Sequence, residues 1–127
     1  MAEEFDEHTV PTPRENPELL GHEQAEKTLL DVWNSGRLPH GWLITGPRGI
    51  GKATLAFRFA RFVLSQDENS GGLFGDAPDS LYTDPENAVF RRVASEGHGD
   101  LLTLERRMNK DGKRLRGNIV VDEVRAA

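Results

Sequence analysis

An α/β fold, a parallel sheet flanked by helices, is what this sequence predicts, and three adjoining features predict it. Residues 41–45, Gly-Trp-Leu-Ile-Thr, form a short continuous apolar run bounded by Pro39 and by Gly46-Pro47, the pattern of a strand covered on both faces. A glycine-rich turn, Gly-Pro-Arg-Gly-Ile-Gly, follows at once. Beyond it Leu55, Ala56, Phe59, Ala60, Phe62, Val63 and Leu64 recur at helical spacing, which predicts a helix over about 51–65 with Arg58 and Arg61 facing out. Strand, turn and helix make half of a βαβ unit.

The other elements follow in chain order. Residues 1–16 are polar and acidic, and Pro11, Pro13 and Pro17 deny them a continuous helix, so they read as a flexible surface arm. From Pro17 the pattern changes. Leu19, Leu20, Ala25, Leu29, Leu30, Val32 and Trp33 alternate with charged residues at helical spacing, an amphipathic helix over about 21–35 that stops at Ser35-Gly36. Residues 66–86 are rich in Gly, Asp, Ser and Pro and read as a long loop, or one reaching to about 97 if the short helix expected at 87–95 is counted within it. That helix turns Ala88, Val89, Phe90 and Val93 inward and is broken by Gly97-His98-Gly99. Residues 100–105 are a strand candidate, 109–113 a turn, and 118–121 another extended run.

Composition narrows the chemistry. With 127 residues and no cysteine, the chain holds at most one domain, no disulfide and no thiolate metal site. No apolar run approaches the roughly 18–20 residues needed to span a bilayer, and the acidic N-terminus does not resemble a signal peptide, so a cytoplasmic protein without membrane contact is expected. The net charge of −5 conceals a gradient, from −7 over residues 1–31 to +4 over 91–116. A basic stretch of that kind can touch phosphates or simply be a solvated loop. His8, His22, His40 and His98 have no partners at metal-ligand spacing.

One motif dominates. Gly46, Pro47, Arg48, Gly49, Ile50, Gly51, Lys52, Ala53 and Thr54 fit the phosphate-loop pattern G-x-x-x-x-G-K between a strand and a helix. The glycines let the backbone curl so that successive N–H groups converge on a phosphate, the helix N-terminus adds partial positive charge, and Lys52 adds a full one. The pattern then requires Ser or Thr as a Mg²⁺ ligand, and Ala53 stands there instead. Thr54 points about 100° away, so metal-assisted hydrolysis should be impaired, with Mg²⁺ bound weakly or not at all. Residues 119–123, Ile-Val-Val-Asp-Glu, have the form of the acidic strand hydrolysis needs, but Asp122 serves equally as a helix N-cap. A self-standing ATPase or small-molecule kinase would use Lys52, Thr54, Asp122 and Glu123.

The segments Pro17-Glu-Leu-Leu-Gly-His22, Ser35-Gly-Arg-Leu-Pro-His-Gly41 and Trp42 through Ala56, with His98-Gly-Asp-Leu-Leu102 and Ile119 through Arg125 later in the chain, resemble the delta-prime subunits of bacterial DNA polymerase III clamp loaders, members of the AAA+ family. The resemblance covers residues 13–125. It implies that 17–127 are the N-terminal part of an AAA+ P-loop domain, whose acidic strand, Ser-Arg-Cys segment, lid and collar lie beyond the residues present. It further implies a hetero-pentamer with tau or gamma and delta subunits that places the sliding clamp on primed DNA. Delta-prime subunits commonly lack working ATPase residues, which suits Ala53, so ATP can be bound with no catalytic residue expected. The resemblance also makes Asp122 the start of a helix. Leu20, Gly21 and His22 are candidates for the adenine side of the site. Many relatives carry a four-cysteine zinc module that maps onto 66–97; without cysteine, no zinc is expected. A sheet of this kind needs about five strands where two or three are visible, so the chain reads as a piece of a domain and only marginally stable alone.

Overall fold

The computed structural model describes residues 10–68 and 77–105. Among these residues there are three helices: α1 (Glu23–Asn34), α2 (Lys52–Glu68) and α3 (Ala88–Ala94). Each lies within three residues of its expected bounds. α1 starts without a side-chain cap at His22 and stops as the sequence predicts, with Gly36 at φ 73° donating its N–H to the Trp33 carbonyl at 3.1 Å. α3 is capped by Asn87, whose side chain accepts from the Val89 N–H at 2.8 Å. Its C-terminus closes when the N–H groups of Gly97 and Glu96 bond back to Arg92 and Val93. The left-handed residue in that turn is Glu96, at φ 61°, not the glycine that follows.

Leu29 of α1, Leu55 and Phe62 of α2, and Leu81 from the segment after α2 form the buried cluster, with Leu30, Trp33, Ile44 and Phe59 packed against it. Trp33 meets Phe62 edge-on at 5.4 Å between ring centroids. Against α2, Val89, Phe90 and Val93 of α3 are buried as expected, whereas Ala88, also expected inward, is exposed. The segment 77–83 is tied to the end of α1, where the Asn34 amide donates to the Pro78 carbonyl at 3.1 Å.

Two further expectations fail. Among the described residues there is no strand: 41–45 and 100–105 have no ladder partner, and Leu43 is 88% exposed where a strand covered on both faces was expected. A strand is defined by its neighbours, so an apolar run with the right pattern remains an unpaired segment when no second strand lies alongside it. The run at 118–121 lies outside the described residues. The second failure concerns α2, whose two arginines do not face out: Arg61 is 1% exposed and among the most buried side chains, and the Arg58 side chain is 12% exposed against Glu26 of α1. No helix of the described residues is long and apolar enough to cross a membrane.

Phe62, at 1% exposure, meets Trp33 of α1 edge-on and stacks on Phe59 of its own helix. Phe62→Ala should cost about 3–5 kcal/mol, seen as loss of the cooperative helical melt in far-UV circular dichroism. Exposed Leu43→Ala should shift the same melt little.

Candidate phosphate-loop site

The loop at 46–51 is shaped by its glycines. Gly46, Gly49 and Gly51 all have positive φ (152°, 82° and 104°), a region that other residues enter only with strain. At Gly51 the need is double, because a Cβ there would also lie 3.3 Å from Leu19 Cδ1 and 3.5 Å from His22 Nε2. α2 begins at the next residue, with Leu55 N–H donating to the Gly51 carbonyl at 2.9 Å. The first-turn N–H groups of Lys52, Ala53 and Thr54 therefore end the helix beside the loop with no carbonyl one turn back to satisfy them.

Lys52 folds back over that loop. Its ammonium donates to the carbonyls of Gly46 and Pro47, the second at 2.9 Å, so a full positive charge sits where the loop closes. His22 ties the loop to the start of α1, its Nε2 against the Ile50 carbonyl at 2.5 Å. Pro47 and Arg48 are exposed. Ala53 and Thr54 take different directions, as a 100° step requires. Thr54 borders a cleft of about 400 Å³ together with Gly49, Gly51, Asn16, Leu19 and Leu20, whereas Ala53 borders a separate hollow with Arg14, Phe57 and Ala94. Leu20, 85% exposed, thus stands across the cleft from the loop, and His22 touches the loop itself. Gly21 sits between them at φ 78°. Asp122 and Glu123 lie outside the described residues, and among the described residues no three His, Asp or Glu side chains are grouped to hold a metal ion.

Sequence reasoning missed the arginines behind this cleft. Arg61 donates to the carbonyls of Arg14 at 2.9 Å and Asn16 at 2.8 Å, and its guanidinium lies 4.4 Å from the centroid of the Phe90 ring. Arg58, one turn earlier, donates to the Pro17 carbonyl at 2.7 Å and pairs with Glu26 of α1. Burial first, and then the nearby charge of Arg58, lower the Arg61 guanidinium to about 10, which leaves it charged at neutral pH. Arg14 stacks over Phe57 at 4.8 Å and reaches Glu96 and Glu105 at 3.6 and 3.8 Å. A faint sequence signal existed: Arg61 stands between Ala60 and Phe62 in a helix whose apolar residues nearly encircle it, which leaves little solvent face.

A loop of this shape at the head of a helix, with its lysine folded over it, belongs to proteins built around a phosphate-binding turn, and the comparisons with known proteins agree on which. The family model described as DNA polymerase III, delta subunit matches residues 21–127, and the chain belongs to that family of clamp-loader AAA+ proteins. It is also 34% identical over 67 residues to the replication factor C small subunit of Methanocella arvoryzae, a match covering 53% of this chain and 20% of that protein. The chain thus spans about a fifth of the length of that curated relative. No solved structure matches. Membership implies a P-loop fold, although the sheet at its centre is not formed among the described residues.

Gly51→Ala tests the loop geometry directly. The strain of positive φ and the contact with Leu19 should together cost about 1–3 kcal/mol, read as a lower thermal midpoint. Amide exchange should rise at 46–52 more than in α1.

Proposed function

We propose that this chain acts in clamp loading as an assembly subunit that holds the phosphates of ATP in the loop 46–51 and does not turn the nucleotide over. The observation that carries the reading is the loop itself: three glycines at positive φ, a helix N-terminus beside them and Lys52 folded across, in a member of a clamp-loader family. Backbone N–H groups of Gly49, Ile50 and Gly51 and the first turn of α2 supply donors to the phosphates. Lys52 exchanges its contacts with Gly46 and Pro47 for phosphate oxygens. Leu20, Gly21 and His22 line the way to the adenine.

Ala53 supports the second half of the proposal. It offers no oxygen to Mg²⁺ at the position where the phosphate-loop pattern places a hydroxyl, and the Thr54 hydroxyl, one residue on, is turned about 100° from that position. The partners are tau or gamma and delta subunits in a hetero-pentamer, acting on the sliding clamp and primed DNA.

Titration calorimetry with ATP tests this reading. The wild-type chain should bind, and Lys52→Ala should weaken binding about tenfold to a hundredfold through the lost charge-assisted hydrogen bonds. Mg²⁺-dependent phosphate release should stay at background for the wild type. Sustained turnover that Glu123→Gln abolishes would overturn the proposal in favour of a self-standing ATPase or kinase, and failure of the wild type to bind ATP would make the loop a structural turn only.

A further inference from the structure

We propose that Arg61 is the positioning residue for the nucleoside side of the cleft, governing affinity for the base and sugar without touching the nucleotide; this rests on the nucleotide reading above. The segment 10–20 forms the wall that faces the phosphate loop, through Asn16, Leu19 and Leu20. Leu19 and Leu20 give that wall an apolar surface beside the phosphate loop, which suits a planar base, and its usefulness depends on being held in place.

What holds it is a set of backbone carbonyls gripped from below. Arg61 takes two of them, Arg14 and Asn16, and Arg58 takes a third, Pro17. Because 58 and 61 are three residues apart, both reach the same side of α2. The segment adds its own turn, with the N–H groups of Glu15 and Asn16 donating to the Thr12 carbonyl and the Asn16 side chain accepting from the Glu18 N–H at 3.0 Å. Arg61 is 1% exposed and lies under the segment, with Phe90 against its guanidinium, so no ligand in the cleft reaches it. Its effect on binding must pass through the wall.

α2 therefore serves both ends of the cleft. Its first turn faces the phosphate loop, and its third turn fixes the opposite wall by way of Arg61. A lysine at 61 keeps the charge but loses the planar fork whose two terminal nitrogens donate separately to the Arg14 and Asn16 carbonyls. That difference separates positioning from simple packing.

The test compares ATP with inorganic tripolyphosphate, which shares the phosphates and lacks the nucleoside, in titrations of the full chain. The wild type should bind ATP more tightly than tripolyphosphate. Arg61→Lys, confirmed helical by circular dichroism, should weaken ATP about tenfold and leave tripolyphosphate within about twofold, the scale of one lost charged hydrogen bond. Equal losses for both probes, or none for either, would overturn the proposal while leaving the nucleotide reading intact. A wild type that binds neither probe would overturn both. Should Arg61→Lys fail to fold, amide exchange on the wild type decides: ATP should protect residues 14–20 more than tripolyphosphate does, and equal protection would overturn the inference.

Discussion

The buried guanidinium of Arg61 is the constraint on which the rest of this structure depends. A charge enclosed to 1% exposure is tolerable only when its donors are engaged, and here they are engaged by carbonyls of a segment some 45 residues earlier in the chain. A hydrogen bond to a charged donor contributes about 1.5–3 kcal/mol, so the two from Arg61 hold the segment around Asn16 against α2. The same side chain bridges two apolar groups. Phe62 beside it belongs to the cluster with α1, while Phe90 above it belongs to α3.

From that contact the register of the other parts follows. Once Arg61 points toward Asn16, the helical step places Arg58 beneath Pro17 and against Glu26 of α1, and turns Phe62 and Leu55 toward Leu29. Leu19 is then carried onto Gly51, and His22 onto the Ile50 carbonyl, so the loop is braced from the α1 side by residues whose own position the two arginines set. The ion pairs of Arg14 with Glu96 and Glu105 add little by comparison, since both acids are largely exposed and screened.

Much of this was legible in the sequence, and the exceptions share a cause. Periodicity located all three helices, and Gly36 announced the end of α1, because those signals are local. The positive φ at Gly46, Gly49 and Gly51 follows from the same kind of signal. Arg61 was misread because a charged residue in an amphipathic pattern marks the solvent face by default, and its partners are backbone carbonyls, which carry no mark in the sequence. The expected strands at 41–45 and 100–105 depended on pairing between distant residues. An apolar run states that it needs covering; it does not state what will cover it.

That division explains how a phosphate loop can be shaped while no ladder is formed beside it among the described residues. The geometry of 46–52 needs only three glycines, the first turn of α2 and the reach of one lysine, all within seven residues, so loop closure costs little chain entropy. A parallel sheet must instead join strands separated by a whole helix and crossover, and each pairing has to offset the ordering of everything between. Three long-range hydrogen bonds beside the site, from Arg58 and Arg61 to residues 14–17, are formed by side chains on an already rigid helix. They impose position on the segment opposite the loop without any strand between them. The cleft is therefore fixed at both ends by a single helix, which is why the chemistry of residues 46–54 and the placement of residues 14–20 belong to one cooperative unit.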